Sequence, residues 1–98
     1  MRIKNRQPAH PGGILKRQYI IPTSLTITEL AKILGISRKT LSKIVNEHGS
    51  VTPDLALRLA KAFDTTPEFW LNLQVNYDLW EASQKSHEWE KVKTIKAG

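Results

Sequence analysis

The strongest constraint on this fold is a pair of short amphipathic helical patterns separated by only two residues. Thr26 and Glu29 have the spacing of a capping box, in which a hydroxyl and a carboxylate accept hydrogen bonds from the free amides at a helix N-terminus. The apolar residues at helical spacing in this first pattern are Ile27, Leu30, Ala31 and Leu34. Gly35 is predicted to end the helix, because glycine readily adopts the left-handed conformation after a last turn.

The second helix of the pair is predicted to follow Ile36 directly, with Ser37 as its N-cap. Its apolar stripe consists of Leu41, Ile44 and Val45. The complementary stripe is wholly polar and consists of Arg38, Lys39, Ser42, Lys43 and Asn46. Two short helices joined by a brief Gly-containing turn form a helix-turn-helix motif, and the small Ala31 stands where the two helices are expected to cross.

Three further helices are predicted around this motif, which gives an all-α fold of five helices. The first runs from about Ile14 to Ile20 and stops before Pro22, because proline disfavours helical backbone at the preceding residue. A fourth helix has Thr52 as N-cap and Pro53 at its first position. Its core face consists of Leu55, Ala56, Leu59, Ala60 and Phe63. The fifth repeats the Thr-Pro start and runs from roughly residue 67 to 82.

The fifth helix carries two apolar stripes, which predicts burial on two sides. One stripe consists of Trp70, Leu73, Tyr77 and Trp80, and the other consists of Leu71, Val75, Leu79 and Ala82. A five-helix domain covers only one stripe, so a two-fold dimer is the expected arrangement. The two stripes alone leave open which face forms the dimer. The residues predicted for the interface are Leu71, Val75, Leu79 and Trp80.

Charge and composition are typical of one small domain that binds a polyanion. The chain has 98 residues, no Cys and a net charge of +6. Residues 1–50 hold nine Lys and Arg against two acidic residues, whereas residues 51–98 hold six against seven. Basic charge concentrated in one half favours phosphate binding through counterion release. No apolar stretch is long enough to cross a membrane and no secretory leader is recognisable, so we expect a cytoplasmic protein without a membrane partner.

The chain is divided into three predicted parts. Residues 1–9 form a basic N-terminal arm, residues 10–82 the helix-turn-helix domain with its dimerisation helix, and residues 83–98 a polar C-terminal tail. Arg2, Lys4 and Arg6 in the arm either reach phosphates or the minor groove, or belong to a solvated terminus. The tail carries isolated apolar residues, and the sequence leaves its structure open.

The polar stripe of the third helix predicts a face that reads the major groove, where each base pair presents a distinct pattern of donors and acceptors. Arg38 has the donors for a bidentate contact with guanine O6 and N7. The predicted base-reading residues are Arg38, Lys39, Ser42 and Lys43. The residues predicted to contact phosphates are Thr26, Ser37, Thr40 and Asn46. A dimer would place two such helices ~34 Å apart on double-stranded DNA, so the expected operator is an inverted repeat.

Other function classes have weaker support in the sequence. His10, His48 and His87 lie in three separate segments without the pairing that a helical metal site needs, and we expect loop or surface positions for them. No catalytic residues, metal or cofactor are therefore predicted. RNA binding usually needs exposed aromatic side chains, and the third helix has none. An interaction protein that mainly silences a partner, with secondary DNA binding, remains the alternative.

The sequence resembles the HigA/VapI-type antitoxins, which are Xre-like helix-turn-helix proteins of toxin-antitoxin modules. The matching stretches are residues 10–12, 14–15, 29–31, 34–38, 52–54, 56, 59–63, 67–74 and 77–80. The Trp-Leu-Asn-Leu-Gln sequence at residues 70–74 distinguishes this family from helix-turn-helix proteins in general. The resemblance implies a lambda-repressor-like fold, repression of the protein's own operator, and a small HigB-like ribonuclease toxin as partner. Glu47 departs from the family pattern, which usually has Gly after Asn46.

Overall fold

The computed structural model describes residues 6–96. Within this range every regular secondary-structure element is a helix, as predicted. Helix α1 covers residues 11–23 and consists of three consecutive segments, Pro11–Leu15, Lys16–Ile20 and Ile21–Thr23. The others are α2 (Ile27–Leu34), α3 (Arg38–Val45), α4 (Pro53–Phe63) and α5 (Pro67–Lys85). A short 3₁₀ helix, Glu88–Lys91, follows α5. No helix of residues 6–96 is both long and apolar enough to span a bilayer.

All five helices contribute a fully buried side chain to one core. These side chains are Leu15, Leu30, Leu41, Leu59 and Trp70. Complete burial of a Leu stabilises the fold by about 1.5–3 kcal/mol. The predicted core stripes of α2, α3 and α4 are confirmed, except that Ile27 and Phe63 are only partly buried.

Helix α1 does not stop at Ile20, so the predicted end before Pro22 is wrong. The segment Lys16–Ile20 is a π-helix, and the amide of Ile21 donates to the carbonyl of Lys16, five residues earlier. A proline ring in a regular α-helix collides with the carbonyl four residues before it. The wider π turn relieves that collision, and α1 continues to Thr23.

His10, which was expected at a loop or surface position, lies in the loop just before α1 and is buried. It is the N-cap of α1, and its Nδ1 accepts a hydrogen bond from the amide of Gly12 at 2.9 Å. Its ring packs edge-on against Tyr77 of α5, with 4.8 Å between the ring centroids. His10 therefore fixes the start of α1 against α5, and α1 begins at Pro11, one turn before the predicted Ile14.

The two stripes of α5 differ in burial within one chain. Trp70 is completely buried, whereas Val75 and Leu79 are 51% and 42% exposed. Leu71 and Trp80 are half-buried. Helix α5 also extends three residues beyond the predicted end at Ala82, and Ser83 is buried, so the predicted polar tail begins with helix.

Candidate nucleic-acid interface

The helix-turn-helix begins with the predicted capping box. The hydroxyl of Thr26 accepts from the amide of Glu29 at 3.0 Å, and the Glu29 carboxylate accepts from the amide of Thr26 at 2.9 Å. Hydrogen bonding from Thr26 to the Glu29 carboxylate, from the backbone amide first and then from the side chain, lowers the pKa of Glu29 below its ordinary value of 4.5. Glu29 therefore stays ionised at neutral pH, and its negative charge interacts favourably with the positive end of the α2 dipole.

The turn between α2 and α3 has the predicted geometry. Gly35 has a φ of 72°, in the left-handed region. The amide of Ile36 donates to the carbonyl of Ala31 at 3.0 Å, which closes the end of α2. Ser37 then caps α3 by accepting from the amide of Thr40 at 3.1 Å. The predicted cap residues on either side of the turn are thus confirmed.

The predicted base-reading residues share one side of α3. Arg38, Lys39 and Lys43 are exposed and Ser42 is half-buried, while the opposite stripe lies in the core. Within residues 6–96, none of the three cationic side chains forms an ion pair. Three uncompensated charges on one exposed helix face suit the binding of a polyanion. The role of each residue in base reading stays a prediction.

The residues predicted to contact phosphate lie at both ends of α3 and at the start of α2. The Ser37 hydroxyl donates to Thr40 Oγ1 at 2.8 Å, which leaves the Thr40 hydroxyl proton available to an external acceptor. The Thr26 hydroxyl accepts a hydrogen bond within its capping box. Asn46 Nδ2 donates to Ser42 Oγ at 3.4 Å, at the far end of the face. Phosphate contact by these four side chains also stays a prediction.

Glu47 occupies a position that favours glycine. Its φ is 64°, and the amides of His48 and Gly49 both donate to the carbonyl of Lys43, at 2.8 and 3.1 Å. This is a left-handed ending of α3, the conformation that a Gly after Asn46 adopts without strain. The departure from the family pattern therefore changes the side chain at this turn and keeps a left-handed backbone.

We expect Glu47→Gly to stabilise the protein by about 1 kcal/mol, because a side chain with positive φ carries a steric cost that glycine lacks. Denaturant unfolding of both proteins measures the difference. Glu47→Gln is the matched control, since it removes the charge and keeps the strained backbone. An equal gain in Glu47→Gln would attribute the effect to charge and contradict the backbone explanation.

Gly12 allows α1 to approach α3 closely. A Cβ atom on Gly12 would lie 1.7 Å from the carbonyl oxygen of Ile44 in α3. No side chain fits in that space, so the C-terminal part of α3 packs directly on the backbone of α1. The position of α3 thus depends on a glycine outside the helix-turn-helix itself.

Two polar residues that sequence analysis did not assign support the motif. Arg58 of α4 donates to carbonyl oxygens at the end of α2, and Gln74 of α5 accepts from the amide of Val51 at 2.8 Å. Gln74 is buried, whereas Asn72 is exposed. Local sequence pattern gives no signal for either contact, because the partners lie more than twenty residues apart.

The capped helix pair, its buried packing face and its exposed cationic face define a protein of the helix-turn-helix class. The helix-turn-helix family model matches residues 16–70. The chain is 44% identical to an HTH-type transcriptional regulator of Haemophilus influenzae, over 93% of this chain and 85% of that protein. It is 39% identical to antitoxin HigA-1 of Vibrio cholerae, over 90% of this chain and 83% of that antitoxin.

A solved structure of antitoxin GraA in complex with its operator has the same fold. It superposes with a TM-score of 0.89 and 37% identity, covering 99% of this chain and all of that chain. The protein therefore belongs to the helix-turn-helix family, among its HigA-type antitoxins.

Proposed function

We propose that this protein is a sequence-specific transcriptional repressor that binds its own operator as a dimer and neutralises a small toxin protein. The observation that carries the proposal is the exposed cationic face of α3 opposite its buried face, whose Lys and Arg side chains make no ion pair with any residue from 6 to 96. The operator complex of antitoxin GraA supports it, because that protein has this fold along its whole length.

The base-reading step follows from the position of the side chains on α3. Arg38 and Lys39 occupy its first turn, the end of a recognition helix that enters the major groove. Arg38 donates two hydrogen bonds to guanine O6 and N7, and each such pair contributes about 1–3 kcal/mol of discrimination. Lys43 lies one turn further along, and the shorter Ser42 reads at closer range.

Phosphate contacts fix the register of the protein without choosing sequence. The hydroxyls of Thr26, Ser37 and Thr40 lie at the N-terminal ends of α2 and α3, where free amides and the helix dipole favour an anion. Asn46 contacts a phosphate of the DNA backbone from the C-terminal end of α3.

The dimer is proposed to form through the exposed stripe of α5, with Leu71, Val75 and Leu79 at its centre and Trp80 at its edge. Val75 and Leu79 are about half exposed in one chain. Pairing two copies of the stripe removes this apolar surface from water. Two recognition helices then face one side of the duplex ~34 Å apart, which fits an inverted repeat.

We expect Val75→Glu/Leu79→Glu to convert the dimer to a monomer and to lower operator affinity at least tenfold, since burying two carboxylates in an apolar interface costs several kcal/mol. Size-exclusion chromatography with light scattering measures the mass. Leu57→Glu is the control, because Leu57 is an apolar side chain that is 59% exposed and lies beside Ile33 of α2, outside the α5 stripe. A double variant that remains dimeric would assign the interface to another surface.

The toxin partner is proposed from family membership, and its contact surface is left to experiment. We also propose that the protein acts in the cytoplasm and by binding, not by catalysis, as helix-turn-helix regulators do. The alternative function is partner silencing with only weak DNA binding. That alternative would be favoured if the protein binds a toxin tightly but binds the operator only weakly at physiological salt.

The proposed function is tested by titrating the protein against the DNA upstream of its own gene. Gel shifts at two salt concentrations, with excess nonspecific duplex, measure affinity and specificity together. We expect salt-sensitive binding that resists competitor and needs both halves of an inverted repeat. Equal, weak binding to any duplex would overturn the repressor function.

A further inference from the structure

Arg58 connects α4 to the helix-turn-helix through contacts that the roles above do not use. Its Nη1 donates to the carbonyl oxygen of Leu34 at 2.8 Å and to that of Gly35 at 3.3 Å. Its Nε donates to Oδ2 of Asp54, one turn earlier on α4, at 2.8 Å. One side chain thus ties α4 to the end of α2 and to the turn before α3.

These contacts have a clear physical basis. The last carbonyl groups of a helix have no partner within the helix and carry the negative end of its dipole, so a cation is favoured there. Hydrogen bonds from a charged donor are stronger than neutral ones. Asp54 accepts from a second nitrogen of the planar guanidinium, and this fixes the direction in which Nη1 points.

The tied residues stand immediately before the recognition helix. Gly35 precedes Ser37, the N-cap of α3, by two residues, and the first base-reading candidate, Arg38, follows at once. Backbone hydrogen bonds also close this turn over the end of α2, from the amide of Ile36 to the carbonyl of Ala31 and from the amide of Gly35 to the carbonyl of Lys32. The guanidinium therefore adds a side-chain link between α4 and the turn that leads into α3.

We propose that Arg58 is a positioning residue for DNA recognition, which fixes the turn between α2 and α3 so that α3 enters the groove in one orientation. The proposal rests on DNA reading by α3 and adds a residue that itself contacts no DNA. Base contacts need defined hydrogen-bond geometry, whereas nonspecific binding depends mainly on charge near the phosphates. Loss of Arg58 therefore reduces specific binding more than nonspecific binding.

The test compares Arg58→Gln with Lys61→Gln. Both changes remove one positive charge from α4, and Lys61 is exposed and makes no hydrogen bond or ion pair to a side chain within residues 6–96. Dissociation constants are measured for the operator and for a nonspecific duplex across a salt series. We expect Arg58→Gln to lose about tenfold in operator affinity, the scale of hydrogen bonds to a charged group, and Lys61→Gln to lose at most about twofold.

The salt series distinguishes positioning from direct contact. Loss of a positioning residue leaves the slope of log affinity against log salt unchanged. Loss of a phosphate contact makes this negative slope shallower by about 0.9. A reduced slope in Arg58→Gln, or equal losses in the two variants, overturns the proposal. Asp54→Asn provides a second variant if Arg58→Gln does not fold. It retains the guanidinium but removes the carboxylate that orients it. Unchanged operator binding in this variant contradicts the proposal.

A measurement without DNA separates this proposal from the proposed function. Hydrogen exchange at the amide of Ile36 is expected to be several-fold faster in Arg58→Gln than in Lys61→Gln, because the turn opens more often. Unchanged exchange overturns the positioning role whatever the protein binds. If exchange is faster in Arg58→Gln but the wild-type protein shows no preference for the operator, the positioning of the turn stands and the proposed DNA-reading function is wrong.

Discussion

Gly12→Ala is expected to destabilise the protein by about 3 kcal/mol, the largest effect on stability of any single change considered. The new methyl group would lie 1.7 Å from the carbonyl oxygen of Ile44, which is half of an ordinary contact distance. The carbonyl oxygen belongs to the α3 backbone and the Cβ is bonded directly to the α1 backbone, so neither atom can rotate away. Either α1 shifts from α3, which opens the core around Leu15 and Leu41, or the start of α1 unfolds.

Gly13→Ala is the matched control for this prediction. The atoms nearest to a Cβ on Gly13 are the ends of the Glu47 and Arg17 side chains, at 2.9 and 3.0 Å, and both are flexible. Alanine favours helix over glycine by up to about 1 kcal/mol, so Gly13→Ala should be neutral or stabilising. Urea unfolding of the three proteins measures the effects. Equal destabilisation by the two variants would contradict the close-approach explanation.

Arg38→Ala/Lys39→Ala is expected to lower operator affinity about 100-fold or more and to leave the fold intact. Each side chain is exposed and makes no ion pair within residues 6–96, so its removal costs little stability. Each lost base contact costs about 1–3 kcal/mol of binding energy. Fluorescence anisotropy with a labelled operator measures the loss.

A double variant of matched charge controls for electrostatics. Lys93→Ala/Lys96→Ala removes two positive charges from the exposed residues after α5, and a small, salt-dependent change is expected. Equal losses in the two double variants would show that net charge, not α3, determines the affinity. The same proteins also test the alternative function, since toxin binding should survive the loss of Arg38 and Lys39 if a separate surface contacts the toxin.

Local signals in the sequence predicted the motif because each of them acts over a few residues. The capping box at Thr26 and Glu29, the left-handed Gly35 and the cap at Ser37 are all satisfied by atoms within one helical turn. The same holds for the Thr-Pro starts of α4 and α5. Helix periodicity likewise predicted the side of α3 that is exposed.

The end of α1 was predicted wrongly for a local reason, whereas the other features that the sequence did not reveal depend on what lies beside a residue in space. Pro22 ended α1 in the sequence prediction, but a π turn accommodates its ring. His10 lies in a loop, as the sequence allowed, but its burial follows from Tyr77, far along the chain, which packs against it. The contacts of Arg58 and Gln74 also cross between helices that are distant in sequence.

The sequence by itself therefore determined which helices form, where most of them begin, and which polar side chains of α3 face outward, because caps and amphipathic periodicity are local properties of the backbone. Only the tertiary structure decided how α3 is held. Gly12 brings the α1 backbone against Ile44, and Arg58 ties α4 to the turn before α3. Such contacts join residues more than twenty positions apart, and a single sequence carries no record of which distant groups will meet.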